Sequence, residues 1–307
     1  MSMIRTDALT KRFGPITAVD ALTVEVGEGV TGLVGANGAG KSTLLKILLG
    51  LLPATAGQAS VLDLDVATEG AAIRERVGYM PEHDCLPPDV SATEFVVHMG
   101  RMSGLPTTAA RERAADILRH VGLYEERYRS MGGYSTGMRQ RVKLAQALVH
   151  DPRLVLLDEP TNGLDPAGRD DMLELIRRIG TEFGISVIVT SHLLGELERI
   201  CGDVVVIDGG HLLRHSSTAS VTAETPVTTV EVDADPTALV ARLAAEGLTV
   251  RSAPPLLHVE VSDDAVHDLV RDAVADLGLG LVRMERQRHR MTEIFTDRAD
   301  APEDTHA

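Results

Sequence analysis

The segment GANGAGKS, Gly35 to Ser42, has the residue types and spacing of a loop that binds phosphate groups. It follows the apolar run Val30 to Val34 and precedes a helix-forming stretch, which is the context such a loop requires. Its glycines let backbone amides face phosphate oxygens, its lysine can reach the β- and γ-phosphates, and its serine can bind Mg²⁺. A chance glycine-rich turn is the alternative, but pattern and context together favour a nucleotide site. The residues assigned to nucleotide binding in this stretch are Gly35, Asn37, Gly38, Gly40, Lys41, Ser42 and Thr43.

A pair of carboxylates, Asp158 and Glu159, follows the apolar run Leu154 to Leu157. In α/β proteins ligands bind at the carboxyl ends of such strands. The position suits Asp158 to hold Mg²⁺ and Glu159 to act as the general base that polarises an attacking water. A solvated acidic turn is the alternative. The nearby Asp165 precedes Pro166, so it fits a helix N-cap followed by proline at the first helical position.

The segment YSTGMRQRVKLAQALV, Tyr134 to Val149, predicts an amphipathic helix with Ser135 as its N-cap. Its buried stripe would comprise Met138, Val142, Ala145, Leu148 and Val149. The stripe and the cap do not explain Gly137, because a glycine in the first turn destabilises a helix relative to alanine. We therefore expect something outside the helix to approach the backbone closely at Gly137.

The composition limits the classes of protein that fit. The chain has 307 residues, 44% of them apolar, and a formal net charge of −15, which disfavours a nucleic-acid partner because phosphate binding requires a positive surface. Cys85 and Cys201 are far apart and lack metal-ligand spacing, so we expect neither a disulfide framework nor a zinc site, in keeping with a reducing cytosol. No apolar run approaches the roughly 18 residues of a spanning helix, and the first residues do not resemble a signal peptide. We therefore expect a chain that crosses no membrane itself.

Strands alternate with helices over most of the chain, which predicts an α/β fold with a largely parallel sheet. Ahead of that sheet, the runs Ile4 to Leu9 and Leu22 to Val26 predict a mostly antiparallel region. Helices are predicted from Ser91, where Glu94 completes a capping box, and over Thr107 to His120.

The composition changes over HSSTASVTAETP, residues 215–226, which predicts a linker. Beyond it the order strand, helix, strand, strand, helix, strand predicts a ferredoxin-like domain. These elements are expected at Val227 to Val232, Pro236 to Glu246, Thr249 to Ser252, Leu257 to Val261, Asp263 to Asp276 and Leu281 to Arg286. We thus predict domains at residues 1–219 and 220–307, with a disordered tail from about residue 299.

Four motifs in register, GANGAGKST, YSTGMRQR, LLDEPTNGLDP and TSHLL, resemble the nucleotide-binding domain of ATP-binding cassette (ABC) transporters over residues 1 to 219. The resemblance implies a P-loop ATPase with a mixed sheet core, an antiparallel β subdomain and a helical subdomain. It identifies YSTGM with the signature motif, commonly LSGGQ, in which Ser135 and Gly137 match while Thr136 and Met138 depart. In this family the signature helix points at the γ-phosphate held by the other subunit, which would account for Gly137.

Further roles follow from the resemblance, position by position. Phe13 is similar to the aromatic residue that stacks on adenine, although core packing is its alternative. His192 resembles the switch histidine that contacts the γ-phosphate, and a helix-start histidine is the alternative. Asp165 resembles the residue that touches the partner across the dimer. Glu82 occupies the family's glutamine position, where it can still coordinate Mg²⁺ or its water but adds negative charge near Glu159.

The function that the resemblance implies is ATP hydrolysis by the cytoplasmic subunit of an exporter, peripheral on the inner face of the membrane. The variant signature, SHLLGELE and the extension ending RMTEIFTDR are most similar to the drug-resistance and antibiotic-exporter branch. Two copies would form a homodimer around two molecules of ATP with Mg²⁺, and an integral-membrane permease would be a separate chain. The extension also carries a basic run that we interpret as a solvated edge, Arg283, Arg286, Arg288 and Arg290.

Two other classes of protein are alternatives to the exporter. A soluble ABC ATPase of the translation or DNA-repair type usually carries two cassettes in one chain or a long coiled coil, whereas this chain has one cassette and no heptad run. A P-loop kinase or transferase would leave the signature and His192 unexplained.

Overall fold

The computed structural model describes residues 2–217, 224–253, 256–260 and 265–288 of the chain. The chain divides into two compact units, Met1–Thr218 and Ala219–Ala307. In the described ranges, no helix is both long enough and apolar enough to span a bilayer. The segment RMTEIFTDR and the predicted disordered tail lie outside the described residues.

Strands and helices alternate through most of the first unit, as predicted. The elements are β1 (Ile4–Phe13), β2 (Ile16–Val26), β3 (Val30–Val34), α1 (Lys41–Leu48), β4 (Ala56–Val61), β5 (Leu64–Asp65), α2 (Gly70–Arg74), β6 (Val77–Met80), α3 (Ala92–Met102), α4 (Thr107–His120), α5 (Thr136–Leu148), β7 (Leu154–Leu157), α6 (Pro166–Thr181), β8 (Ser186–Ser191), α7 (Leu194–Leu197), β9 (Asp203–Asp208) and β10 (His211–Ser217). A short 3₁₀ helix, Met131–Gly133, precedes α5.

A six-stranded sheet in the order β10-β9-β3-β8-β7-β6 forms the centre of the first unit. Its strands are parallel except for β10, which pairs antiparallel with β9 at one edge. Strands β3, β7 and β8 are buried along their whole length, which explains their continuous apolar sequence. The predicted α/β fold with a mixed sheet is confirmed. Because β3, β8 and β7 are parallel neighbours, the loops after them meet at one edge of the sheet.

A second sheet, in the order β2-β1-β4-β5, is antiparallel throughout. Its buried residues Leu9 and Leu22 belong to the same hydrophobic core as Leu45 of α1 and Leu156 of β7. The predicted antiparallel region is therefore confirmed, and the shared core fixes it against the helix that begins at Lys41.

Three helices, α3, α4 and α5, form the helical part of the unit, with α3 packed against both of the others. The capping box predicted at Ser91 and Glu94 is present, and α4 has the predicted bounds. Ser135 caps α5 by accepting a hydrogen bond of 3.3 Å from the backbone N–H of Met138. The predicted stripe of α5 is buried except for Met138, which is half-buried.

The second unit has ferredoxin-like topology, as predicted. Its elements are β11 (Glu224–Val232), α8 (Thr237–Ala245), β12 (Val250–Ala253), β13 (Leu256–Glu260), α9 (Ala265–Asp276) and β14 (Leu281–Arg288). The sheet order is β12-β13-β11-β14, with every neighbouring pair antiparallel. Val230 and Leu257 of the sheet pack in one core with Leu239 of α8 and Val270 of α9.

The predicted linker, residues 215–226, is wrong at both ends. His215, Ser216 and Ser217 pair with β9 as the last part of β10, and Glu224 begins β11. Backbone pairing at a sheet edge does not require apolar side chains, so a Ser- and Thr-rich sequence can continue an edge strand. Residues 218–223 lie outside the described residues.

Candidate active site

The phosphate-loop sequence forms the turn between β3 and α1. Gly40 has φ 100°, and a Cβ there would lie 2.1 Å from the carbonyl oxygen of Ala18, so only glycine fits. Gly38 has φ 85°, which also favours glycine. Helix α1 begins without a side-chain cap, which leaves its first amides available to an anion.

Lys41, the first residue of α1, is buried and turned back into the loop. Its Nζ donates to the carbonyl oxygens of Gly35 at 2.6 Å and Ala36 at 3.3 Å. The same Nζ lies 3.3 Å from Oε1 of Glu159, and both side chains are only 6% exposed. The structure therefore places the lysine of the phosphate loop beside the predicted general base.

Asp158 is held by three hydroxyl groups. Its Oδ1 accepts from Ser42 Oγ at 3.1 Å and from Thr190 Oγ1 at 3.0 Å, and its Oδ2 accepts from the hydroxyl of Tyr79 at 3.5 Å. Burial, followed by the negative charge of Asp158, raises the pKa of Tyr79, so that the phenol stays protonated as a donor. The link to Ser42 joins the carboxyl end of β7 to the phosphate loop.

Glu159 is buried and has a left-handed backbone, with φ 50°. Its N–H donates to Thr190 Oγ1 at 2.8 Å, and its Oε2 lies 2.9 Å from Nδ1 of His192, the residue after β8. A positive φ is costly for a residue with a Cβ, so the surrounding contacts must hold this conformation. The carboxylate thus lies between Lys41 and His192 with little solvent around it.

Lys41, Ser42 and Glu159 line a cavity of about 300 Å³, whereas Asp158 and His192 are not among its lining residues. Its lining residues are Ala18, Ala36, Asn37, Gly38, Gly40, Lys41, Ser42, Thr43, Glu82 and Glu159. Glu82 is half-buried, and its Oε1 accepts from Asn162 Nδ2 at 3.4 Å. The hydroxyl of Ser42 and the carboxylates of Asp158 and Glu82 are hard oxygen donors, the ligand type that Mg²⁺ prefers. The donor set therefore fits the magnesium ion expected from the sequence.

Other predicted residues lie away from this cavity. Gly35 packs behind the loop, where a Cβ would lie 2.4 Å from the carbonyl oxygen of Ile207. Phe13, at the end of β1, is 46% exposed and is not among the lining residues. Asp165 caps α6 by accepting from Gly168 N at 3.1 Å, which agrees with the N-cap interpretation.

The signature residues are also absent from the lining of this cavity. Ser135 is exposed and Gly137 is half-buried at the start of α5. Among the described residues outside the backbone of its own helix, the atom nearest to a Cβ on Gly137 would be Cδ2 of Leu164 at 3.8 Å. The contacts within the described part of the chain therefore leave room for a side chain at Gly137 and do not require glycine there.

Several residues that contact the site are missing from the sequence-based assignment, and two of them are Thr190 and Lys143. Thr190 contacts both Asp158 and Glu159, and Lys143 of α5 contacts the loop that carries Glu82. Each was marked by one signal, a polar residue within an otherwise apolar pattern. Thr190 interrupts the buried strand β8, and Lys143 lies directly after Val142 of the predicted stripe.

Comparisons with known proteins show which chains and folds this one is similar to. Residues 19–162 match the family model described as ABC transporter. The chain is 32% identical over 299 residues to the daunorubicin resistance ATP-binding protein DrrA3 of Streptomyces coeruleorubidus, covering 95% of this chain and 94% of that protein. It is 38% identical over 239 residues to the Nod factor export ATP-binding protein I of Burkholderia orbicola (strain AU 1054), covering 76% and 78%. A solved dimeric bacterial ABC transporter cassette is similar over 70% of this chain and 99% of its own, with 25% identity and a TM-score of 0.65.

Proposed function

Because this chain belongs to the ABC transporter family, as an ATP-hydrolysing subunit of the exporter branch, we propose that Glu159 is the general base of its ATPase site. The supporting observation is the environment of the carboxylate, which is buried between Lys41 Nζ and His192 Nδ1 at the phosphate loop. A general base must lie within reach of the water it activates and be oriented by its neighbours. A solvated acidic turn would not bury the carboxylate in this way.

The other residues have distinct tasks in this proposal. The amides at the start of α1 bind the phosphates of ATP, and Lys41 exchanges a carbonyl partner for a phosphate oxygen. Ser42, Asp158 and Glu82 would hold Mg²⁺, which neutralises phosphate charge when it is bound. Glu159 takes a proton from the attacking water, while His192 orients the carboxylate and reaches the γ-phosphate from its partly exposed position.

The active form that we propose is a homodimer in which Ser135 and Gly137 of one chain complete the ATP site of the other. Two observations support it: the signature residues do not line the cavity of their own chain, and the backbone of Gly137 is open to an external group. The similar solved cassette is itself dimeric. Phe13, exposed at the end of β1, would stack on the adenine base.

We further propose that the dimer drives a separate integral-membrane permease from the inner face of the membrane. The relatives named above are a resistance protein and an export protein, which favours export of a small molecule over a role in translation or DNA repair. The formal net charge of −15 also argues against a nucleic-acid partner.

The substitution Glu159→Gln tests the proposed function, because it preserves the shape of the side chain and removes the base. We expect ATP hydrolysis to be nearly abolished and ATP to trap a dimer, as measured by phosphate release and by size-exclusion chromatography with ATP. Glu174→Gln is the matched control, since this carboxylate is exposed on α6 and pairs with Arg177 at the surface. Near wild-type hydrolysis by Glu159→Gln would contradict the assignment of the base.

A further inference from the structure

Lys143 is a buried lysine on α5 that reaches the backbone around Glu82. It is 3% exposed, and its Nζ donates to the carbonyl oxygens of Pro81 at 2.7 Å and Glu82 at 2.8 Å, with that of His83 at 3.5 Å. An ammonium group has three N–H donors and no acceptor, so three carbonyl oxygens can satisfy it completely. Its partners are therefore all in one short segment of backbone.

Other side chains of α5 contact the same segment. Gln146 Nε2 donates to the carbonyl oxygen of Tyr79 at 3.1 Å, and Arg139 pairs with Asp84 at 3.0 Å. Residues 139, 143 and 146 lie on one face of a helix because they are spaced by four and three positions. One face of α5 thus holds the segment from Tyr79 to Asp84, and the buried Lys143 is at its centre.

The two ends of this arrangement have different positions in the proposed ATPase cycle. Glu82 lines the nucleotide cavity of its own chain, whereas Ser135 and Gly137 lie at the start of α5, outside that cavity. A cation held by backbone carbonyls moves with them, so a shift of α5 displaces the backbone that aims Glu82. An apolar residue at position 143 would leave those carbonyl oxygens without their donor.

We propose that Lys143 is a positioning residue that fixes Glu82 at the nucleotide cavity and links the position of Glu82 to that of α5. The inference rests on the proposed function, because it takes Glu82 as a group that acts on the bound nucleotide and Mg²⁺. When the signature residues move toward the ATP of the partner chain, α5 therefore displaces the backbone at Glu82 in the site of their own chain.

The first test is amide hydrogen exchange, which needs no activity. In Lys143→Met we expect exchange in a peptide spanning residues 79–87 to accelerate at least about tenfold, because the backbone has lost its buried donor. Exchange in α1 should stay unchanged. Arg141→Met is the matched control: this residue lies on the same helix and donates to a backbone carbonyl, that of Val121 at 2.9 Å, but it does not touch the Glu82 segment.

The second test separates positioning from a merely structural role by a double-mutant cycle. Glu82→Ala should raise the Mg²⁺ concentration that half-saturates ATP hydrolysis, and in the Lys143→Met background it should have no further effect beyond about twofold. ATP affinity, measured by calorimetry, should stay that of the wild type in Lys143→Met, since the phosphate loop is untouched. An effect of Glu82→Ala of equal size in both backgrounds would overturn the proposal.

Unchanged exchange in residues 79–87 of Lys143→Met would also overturn it. If that variant does not fold, Lys143→Gln decides, since its shorter neutral donor should give faster exchange than the wild type in the same peptide alone; wild-type exchange there overturns the proposal. A wild-type chain without ATPase activity would refute the proposed function, while the exchange measurement would still decide whether Lys143 holds the segment.

Discussion

The hydroxyl of Thr190 connects the two carboxylates of the candidate site, and removing it is a specific test of how they are held. The group donates to Asp158 Oδ1 at 3.0 Å and accepts from Glu159 N at 2.8 Å, in a side chain that is completely buried. A carboxylate can only accept and an N–H can only donate, so the single hydroxyl proton of Thr190 points to Asp158 Oδ1. Thr190→Val keeps the volume and removes both bonds.

The expected magnitude follows from the group left without a partner. A buried N–H that loses its acceptor costs about 1–3 kcal/mol, and the left-handed backbone of Glu159 holds strain of similar size. Without the bond to position 190, Glu159 can relax toward an ordinary φ and carry its carboxylate away from Lys41 and His192. Since about 1.4 kcal/mol corresponds to a tenfold change in rate, we expect kcat to fall by about ten- to hundredfold.

The assay is steady-state ATP hydrolysis with ATP affinity measured separately by calorimetry, which should be unchanged. Thr190→Ser should restore most of the activity because it retains the hydroxyl. Thr6→Val is the matched control: the buried hydroxyl of Thr6 accepts from the backbone N–H of Val24 at 3.0 Å in the antiparallel sheet. Its loss should lower the free energy of unfolding but leave kcat unchanged. Activity of Thr190→Val within twofold of the wild type would refute the reasoning.

Three further predictions concern the proposed dimer, the buried thiol of Cys201 and the boundary between the two compact units. Gly137→Asp should abolish ATPase activity by placing a carboxylate at the γ-phosphate of the ATP bound by the partner chain. Mixing this variant with Lys41→Ala should restore some activity, because the heterodimer has one intact site. No rescue in a cross-linked heterodimer would count against action across the dimer. Burial raises the pKa of the Cys201 thiol to about 12, so the folded state keeps a proton that the unfolded state loses above its ordinary value near 9. The free energy of unfolding should therefore fall as pH rises from about 9 to about 12, by up to about 1.4 kcal/mol per pH unit. In Cys201→Ala this contribution to the pH dependence, measured by urea unfolding, should be absent. Elastase should cut first near the boundary of the two compact units, which end and begin at Thr218 and Ala219, and the fragment 1–218 should still bind ATP. Loss of nucleotide binding would show that the units depend on each other.

Much of the fold could be predicted because its signals are local. The phosphate-loop glycines, the capping box at Ser91 and the cap at Ser135 each act within a few residues, and the structure has each turn or cap where the pattern placed it. The predicted linker failed for the opposite reason. Whether residues 215–217 form a strand depends on β9 as a pairing partner, and their own composition carries no such information.

The candidate site shows the same difference between local sequence signals and contacts that depend on distant segments. The sequence by itself predicted which groups are suited to bind phosphate and which carboxylates are suited to act on water, because that prediction needs only residue type and position after an apolar strand. Only the tertiary structure decided how they are held. Thr190 meets Asp158 and Glu159 because β7 and β8 are neighbours, and Lys143 meets the Glu82 segment because α5 packs beside it. A polar residue in an apolar pattern shows that a partner is needed, but its identity depends on which distant segments the fold brings together, and local sequence does not encode it.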